Sequence, residues 1–380
     1  MAVYDQQITS YDDLTPHVRV VGDVIKLITP YDAPVVARLG LNSAREKFRL
    51  KLDGYKIEIL EDELDPVETT LSNGTVDLTT TTLSFGVADA SFFQVGHVIL
   101  VDAEKMVVSA VNTGTNVITV YSRTYGGTRA THEETASLSI VGMARLEGAD
   151  ASFGPAVDIA APYNYTSIFQ KGLNVSGTMQ AIDQYGIADE FAYQANKAMP
   201  HLMRLVERAF FHGVRQAGSE TAPRSFGGVD TFVTNNSSSI TTTITKASVD
   251  NLAKLIYDDG GSPNMLVVNP AAAARLRGLI DSSSFVRLGQ ENTVFGMQPV
   301  TRVSTQFYGD LELVTSRWCP PKKAYMLDSN KIGFYTLRDF FMKQLAVTGD
   351  SVKGEVVGEL SLIAGHDAGH GYIVTSGTSL

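Results

Sequence analysis

The sequence predicts an α+β fold, in which helices and strands alternate only briefly. Residues 183–216 contain apolar side chains every three or four positions, which form one stripe along a long helix. Many short runs rich in β-branched or alternating apolar residues, between 47 and 374, indicate strands. Because these runs rarely alternate with helices, a doubly wound nucleotide-binding domain is not expected.

Length, charge and cysteine content exclude several classes of protein. A chain of 380 residues is long enough for two or three compact units. Its net charge of −10, from 31 Lys plus Arg and 41 Asp plus Glu, argues against a protein that grips nucleic acid through its phosphates. The single cysteine, Cys319, excludes an internal disulfide and a four-thiolate zinc site, as fits a reducing cytoplasm. With no targeting signal and no apolar run of about 18 residues, we expect a soluble protein with no membrane partner.

The first 65 residues predict an arm followed by an extended segment. Residues 1–44 carry scattered apolar side chains interrupted by prolines, and we interpret them as an N-terminal arm with a short helix over 18–27, docked on the same chain or a neighbour. Residues 47–63 alternate between apolar and polar side chains, which predicts an amphipathic strand or hairpin. An acidic run follows, made of Glu61, Asp62, Glu63 and Asp65. This run is either a solvated tip or a contact for a neighbour's arginines.

A change in composition at Pro66 predicts a small β domain over residues 66–142. The segment is rich in Thr, Val and Ser, and Asn112-Thr113-Gly114 is typical of a hairpin loop. Its predicted strands cover 78–85, 97–101, 105–111, 116–121 and 137–141. Its two ends are expected side by side, because the strand before it finds a plausible returning partner after it. We therefore interpret the domain as an insertion into a loop.

The helix predicted over 183–216 is amphipathic and longer than most helices of globular proteins. Pro200 lies within it and predicts a kink, or two helices that meet end to end, because proline lacks the backbone donor. The polar face is predicted to hold Asp189, Glu190, Gln194, Lys197, Arg204, Glu207, Arg208 and Arg215.

The remaining residues predict a mixture of helices and strands. Gly227-Gly228 indicates a turn that enters a strand, and 246–259 predicts a helix with Val249, Leu252, Ala253, Leu255 and Ile256 facing inward. Further along, the expected elements are a buried strand at 265–268, a helix at 270–279, and strands at 299–303, 311–315, 324–327, 340–345, 354–363 and 372–374.

The sequence contains no strong motif for a catalytic, metal-binding or cofactor-binding site. His366 and His370 have the spacing of a helical zinc motif, but their glycine-rich context and the missing glutamate favour a loop between strands. Cys319 is followed by two prolines that indicate a turn, and it has no partner for nucleophilic catalysis. No phosphate-binding loop, dinucleotide fingerprint or nucleophile elbow occurs. We expect no catalytic residue, no metal and no cofactor.

Several motifs, taken in order, resemble the major head proteins of tailed phages, in the subgroup with a β domain inserted in the extended loop. They are EILEDEL, TYGGTRATHEETASLSIVG, LEGAD, YNYTSIF, NVSGT, VERAFFHG and RSFGGVDTFV, and the resemblance covers most of residues 45–375. It implies the HK97-like capsid fold. The implied domains are an N-terminal arm (1–44), an extended loop (45–65 and 143–182), the inserted β domain (66–142), a peripheral domain with the long spine helix (183–224 and 336–380) and an axial domain (225–335).

The resemblance implies a structural protein, not an enzyme: a major capsid protein that assembles into hexamers and pentamers of an icosahedral head around double-stranded DNA. Its implied partners are other copies of itself, scaffolding and portal proteins, and decoration proteins. In that family the extended loop lies over an adjacent subunit, so Glu61, Asp62, Glu63 and Asp65 are expected to meet a neighbour's spine. The arginines expected there are Arg204, Arg208 and Arg215.

Thin arms and two-stranded loops are unstable alone, so a chain that contains them is expected to bury them against other copies. One alternative is the shell of a bacterial encapsulin-type nanocompartment, which needs a cargo groove and no DNA. A second is a multi-domain cytoplasmic hydrolase with its site between the α/β part and the β insertion, although no nucleophile and base motif supports it.

Overall fold

A computed structural model of the chain describes residues 32–50, 54–72, 81–150, 159–183, 187–278, 302–305, 307–347, 349–377 and 380. The chain forms two compact units, of which the first joins Met1–Ile59 to Pro162–Leu380 and the second is Leu60–Ala161. The short helix predicted over 18–27 lies outside the described residues.

The helices of the described residues are α1 (Pro34–Leu39), α2 (Ser43–Lys47), α3 (Gly177–Ala181), α4 (Glu190–His212), α5 (Lys246–Asp258) and α6 (Pro270–Gly278). The strands are β1 (Lys56–Glu58), β2 (Glu68–Thr70), β3 (Ser84–Gly86), β4 (His97–Val101), β5 (Glu104–Asn112), β6 (Val117–Val120), β7 (Ser137–Met143), β8 (Tyr163–Tyr165), β9 (Ser167–Ser176), β10 (Asn236–Ile240), β11 (Met265–Val268), β12 (Arg302–Thr305), β13 (Gly309–Thr315), β14 (Lys323–Leu327), β15 (Ile332–Gln344), β16 (Ser351–Ala364) and β17 (Gly371–Thr375). Together they confirm the predicted α+β class.

The long helix α4 is shorter at both ends than the predicted 183–216. It begins after Asp189, whose carboxylate accepts hydrogen bonds from the backbone N–H groups of Phe191 and Ala192 at 2.9 and 3.3 Å. An aspartate at this position satisfies donors that have no partner inside the helix. The helix ends at His212, and the next residue, Gly213, has extended backbone angles.

Pro200 lies inside α4, and the helix continues through it. Of the two expected outcomes, the division into two helices is therefore wrong, and the kink stays a prediction. Proline removes the donor that would bond the carbonyl of Asn196, four residues earlier. Asn196 is exposed, so water can satisfy that carbonyl instead. A proline on the solvent side of a helix is therefore tolerated.

The predicted apolar stripe of α4 is confirmed at Phe191, Ala198, Leu202 and Phe210, which are all buried. The N-terminal part of this stripe packs on the antiparallel sheet β15-β16-β9, in which β16 is central. One assignment to the polar face is wrong, because Glu207 is also fully buried.

The largest sheet of the first unit has the strand order β10-β17-β14-β11-β13-β12 and mixes parallel and antiparallel pairs. The four residues of β11 are all buried. Met265 and Val267 belong to the core that includes α1 and the end of α4, whereas Leu266 and Val268 belong to the core beneath α5 and α6. Because side chains alternate along a strand, β11 divides the two cores.

The helix predicted over 246–259 is confirmed as α5. Thr245 caps it with a reciprocal pair of hydrogen bonds to Ser248. The predicted inward residues Val249, Leu252, Ala253 and Ile256 are buried, but Leu255 is exposed on the opposite side, so that assignment is wrong.

Gly227 and Gly228 do not lead directly into a strand. The chain forms a 3-10 turn at Val229–Thr231, and the next strand begins at Asn236. A Cβ atom on Gly228 would lie 2.6 Å from the carbonyl oxygen of Phe210, so only glycine allows this close crossing of the end of α4.

The strand predicted over 47–63 is much shorter in the structure. Helix α2 occupies its first residue, and among the residues of this range that the structure describes, only β1 is a regular strand. It pairs with β8 in antiparallel register, with Glu58 opposite Tyr163, so β8 is the returning partner that the sequence indicates.

The second unit is a closed six-stranded barrel. Its strand order is β2-β7-β4-β5-β6-β3, and a bridge between Leu71 and Val87 joins the two outer strands. Strand β4 has the predicted bounds, and Asn112 accepts hydrogen bonds from Gly114 and Thr115 in the predicted hairpin loop. Closure removes exposed sheet edges, which would otherwise pair with other chains.

Candidate assembly interface

The acidic run lies at the beginning of the second unit. Glu61 pairs through its backbone with Ala160, with both N···O distances at 2.9 Å, and the following acids Asp62, Glu63 and Asp65 are exposed. Two leucines in the same stretch, Leu60 and Leu64, are 77% and 94% exposed. Clustered exposed apolar side chains are typical of surfaces that contact another molecule. Neither leucine was singled out by the sequence analysis.

The three arginines predicted on the spine are in different environments. Arg204 and Arg208 lie one turn apart on α4, with Arg204 Nη2 2.9 Å from His201 Nδ1 and the Arg208 guanidinium 5.6 Å from the centre of the Trp318 ring. Arg208 is exposed, so one face of its guanidinium is open to a partner. These two side chains are placed on the helix as predicted.

Arg215 is not on the helix, because α4 ends at His212. Its Nη1 donates a hydrogen bond to the backbone carbonyl of Tyr163 at 3.0 Å, and its guanidinium lies 4.3 Å from the centre of the Tyr163 ring. Lys56 Nζ lies 4.4 Å from the same ring centre. Arg215 therefore belongs to a cationic and aromatic surface on the β1-β8 ribbon, which the sequence pattern did not reveal.

The predicted meeting of the acidic run with these arginines concerns two different copies of the chain. The structure of a single chain does not test this contact between copies, so the contact stays a prediction. What the structure adds is that the acidic run is exposed and that the arginines are held by aromatic or histidine neighbours.

A second feature was missed altogether: Glu207 lies beneath the N-terminal segment. Its Oε2 accepts a hydrogen bond from the Val36 backbone N–H at 2.9 Å, and its Oε1 accepts from the Val35 N–H at 3.2 Å and from Ser316 Oγ at 2.8 Å. Burial raises the pKa of this carboxyl, against the opposing effect of these hydrogen bonds. No Lys, Arg or His of the described residues forms an ion pair with it. Helical periodicity places Glu207 beside the apolar stripe, but nothing local shows that a distant segment covers it.

The segment between His366 and His370 forms a turn, as the sequence favours. Residues Asp367–Gly369 form a 3-10 turn between β16 and β17, and His370 Nδ1 accepts a hydrogen bond from the Asp328 N–H at 3.1 Å. Burial lowers the pKa of His370 to about 4, and burial raises the pKa of the Cys319 thiol. Within the described part of the chain, no cluster of three or more His, Cys, Asp or Glu side chains is arranged to hold a metal ion.

None of the helices in the described ranges combines the length and apolar character needed to span a membrane.

Comparison with known proteins identifies the family. Residues 4–377 match the family described as SU10 major capsid protein. A search of curated proteins gives no match. Among solved structures, the capsid of a native GTA particle is 10% identical, with 96% of this chain and 97% of that chain covered and a TM-score of 0.53. A chain from Microbacterium phage Oxtober96 is 13% identical, with 97% and 100% covered and a TM-score of 0.51.

The holo-SrpI encapsulin complex from Synechococcus elongatus PCC 7942 is 13% identical over 57% of this chain and 77% of that chain, with a TM-score of 0.44. The match to the SU10 family spans nearly the whole sequence, and the similarity to the GTA capsid extends over both units. The chain therefore belongs to the SU10 major capsid protein family and has the HK97-like capsid fold.

Proposed function

We propose that this major capsid protein assembles into hexamers and pentamers that form an icosahedral phage head around double-stranded DNA. The family match over residues 4–377 is the observation that carries this proposal. A closed shell of one protein uses the same surfaces on every copy, so modest contacts add up over many repeats.

The shape of several elements supports assembly. The β1-β8 ribbon has only three residues in each strand, and a two-stranded ribbon is marginal alone in water. Leu60 and Leu64 are almost fully exposed on the single chain. Contact with another copy would bury both, and burial of a leucine side chain contributes roughly 1.5–3 kcal/mol.

The distribution of charge fits a protein that encloses DNA without gripping it. Residues 60–161 contain 14 of the 41 acidic and 4 of the 31 basic residues, so this segment accounts for the whole net charge of −10. The rest of the chain is neutral. Proteins that hold DNA through its phosphates present a concentrated positive surface, and neither part offers a net positive charge for it.

We assign domains by analogy with the fold family. Residues 45–65 and 143–182 would be the extended loop, 66–142 the inserted β domain, 183–224 and 336–380 the peripheral domain, and 225–335 the axial domain. Residues 1–44 would be the N-terminal arm. The barrel unit Leu60–Ala161 contains the whole of the proposed inserted domain and also the acidic run.

For the contact between copies, we propose that Glu61, Asp62, Glu63 and Asp65 of one copy face the arginines of a neighbour. Arg204 and Arg208 support this best, since both lie on the spine helix one turn apart. Arg215 would contribute from the ribbon surface beside Tyr163. Exposed ion pairs are worth only about 0.2–1 kcal/mol each, so they would orient neighbours more than hold them.

Scaffolding and portal proteins, and decoration proteins on the finished shell, are the further partners that we propose, with assembly in the cytoplasm of a host bacterium. Negative-stain microscopy of the purified protein tests shell formation, and nuclease-protected DNA inside the particles tests genome enclosure. Shells that hold a protein cargo and no DNA would favour the encapsulin-type alternative. A well-folded monomer with hydrolytic activity would favour the hydrolase.

A further inference from the structure

We propose that Glu207 is a proton-dependent clasp for the N-terminal segment 33–41, which docks on α4 when the carboxyl group is protonated and detaches more readily when it is ionised. The clasp joins three parts of the chain that are far apart in sequence. These are the start of α1, the middle of α4 and the turn after β13 that contains Ser316.

Helix α1 lacks a side-chain acceptor at its own N-terminus. The first N–H groups of any helix have no partner within it, and a side chain at the N-cap usually accepts from them. Here the N-cap is Ala33, which cannot accept, and Pro34 follows at the first position. Glu207 supplies the missing acceptor from another helix, and it acts together with the burial of Val35, Val36 and Leu39 in the core.

Within the described ranges, the carboxyl group of Glu207 has no neighbouring cation to balance its charge when it is ionised. Glu207 is 0% exposed, and the described residues provide it with no ion-pair partner. The charged groups around it do not compensate: Asp32 precedes α1 and is paired with Arg317, and Cys319 follows on the same turn as Ser316. On its own helix, Arg208 is held over Trp318. A buried carboxylate without a cation is costly, and protonation relieves that cost.

The direction of the pH dependence follows from burial, which raises the pKa of Glu207 above its ordinary value of 4.5. A carboxyl group whose pKa is raised in the docked state stabilises that state fully below 4.5 and loses this contribution as pH rises through the raised pKa. Docking of segment 33–41 is therefore tight in acid and weaker toward neutral and alkaline pH.

The amides of Val35 and Val36 report directly on the clasp, because they donate to Glu207. The test is hydrogen exchange with mass spectrometry on the full-length protein between pH 4.5 and pH 8, with rates corrected for the intrinsic effect of pH. In the wild type, protection of the peptide that contains these amides should fall as pH rises, by up to about tenfold for each unit by which the docked state raises the pKa of Glu207. Glu207→Gln, which cannot ionise, should hold its protection constant over this range.

Glu312→Gln is the matched control. It removes the negative charge that pairs with Arg38 on the same segment but leaves the clasp intact, so it should keep the wild-type dependence on pH. Glu207→Ala removes the acceptor but leaves Val35, Val36 and Leu39 buried, so protection should be lower than in the wild type at pH 4.5 and should not depend on pH. If Glu207→Gln does not fold, Ser316→Ala replaces it, and loss of this donor should move the fall in protection to higher pH.

The proposal is overturned if wild-type protection is independent of pH, if Glu207→Gln keeps the wild-type slope, or if Glu207→Ala is as protected as the wild type at pH 4.5. It is also overturned if Ser316→Ala produces no upward displacement. None of these readouts depends on shell formation, so a negative result is distinct from a failure of the protein to assemble.

Discussion

Arg123 and Glu104 form a bidentate ion pair inside the barrel unit, with Nε 2.7 Å from Oε1 and Nη2 2.7 Å from Oε2. Both side chains are almost completely buried. Glu104 Oε2 also accepts from the Ala130 N–H at 3.0 Å and lies 2.9 Å from His132 Nε2. His132 Nδ1 in turn lies 2.7 Å from Asp102 Oδ2. Through this network, the connection between β6 and β7 forms hydrogen bonds and ion pairs with Asp102 and Glu104 at the turn between β4 and β5.

The first prediction is that the barrel folds alone. Residues 60–161 have their own core, formed around Phe85, Ile99, Met106 and Leu138, and a closed set of strands. Expressed as a separate segment, they should give a β-type circular dichroism spectrum and a single cooperative thermal transition. A random-coil spectrum would show that the barrel depends on the rest of the chain.

The second prediction concerns Arg123 in that segment. Arg123→Ala leaves the carboxylate of Glu104 buried without its cation, which should lower the free energy of unfolding by about 3–5 kcal/mol. Urea denaturation measures this change. Arg129→Ala removes an exposed arginine from the same connection and should cost less than about 0.5 kcal/mol. Equal costs for the two variants would contradict a structural role for the buried pair.

The third prediction is an acid limit on barrel stability. Burial alone would raise the pKa of Glu104, but hydrogen bonds from Arg123, Ala130 and His132 outweigh it and lower the pKa to about 2. A depressed carboxyl pKa contributes stability above the ordinary value of 4.5, and this contribution disappears as pH falls toward 2. At about 1.4 kcal/mol per pKa unit, the loss should be roughly 3 kcal/mol.

Urea denaturation of residues 60–161 at several pH values between 6 and 2 measures this loss. Glu104→Gln should be less stable at pH 6 and should show a shallower dependence on pH. The same slope for the variant and the wild type would mean that other carboxyl groups cause the acid sensitivity.

Local sequence patterns predicted the elements whose determinants are local. The apolar runs of β11 and β4 and the apolar periodicity of α5 each contain their own signals, and the structure confirms these elements. Glu207 and Gly228 were misread because their roles come from contacts with remote residues. Glu207 is covered by Val35 and Val36, over 170 positions away, and Gly228 passes close to the end of α4.

The candidate interface was predictable only in part, for a similar reason. Charge alone identified the acidic run and the helix arginines, but the end of α4 at His212 removed Arg215 from the spine. The sequence pattern did not distinguish Leu60 and Leu64 from other apolar residues, and only their exposure in the folded chain marks them as candidate contact residues.

The fourth prediction tests the proposed pairing between copies. Glu61→Lys with Asp62→Lys should reduce particle yield at low salt, because opposite charges that orient neighbours become repulsive. Adding Arg204→Glu with Arg208→Glu should partly restore the yield, and high salt should reduce both effects. Sedimentation of assembled particles gives the yield.

Glu133→Lys with Glu147→Lys is the control for this experiment, since it makes the same change of charge at exposed or partly exposed positions of the same unit. It should leave the yield close to that of the wild type. If the reversal at Glu61 and Asp62 has no effect at low salt, or if the compensating arginine changes give no recovery, the acidic run is only a solvated tip.

The central claim is that the native state of this chain is a closed shell of many copies. Size-exclusion chromatography with light scattering, on particles from infected cells and on protein expressed together with its neighbouring gene products, measures it most directly. The expected result is a uniform megadalton assembly that elutes far ahead of the 41.0 kDa chain. A stable, well-folded monomer under all of these conditions would contradict the assignment of this chain as a shell protein.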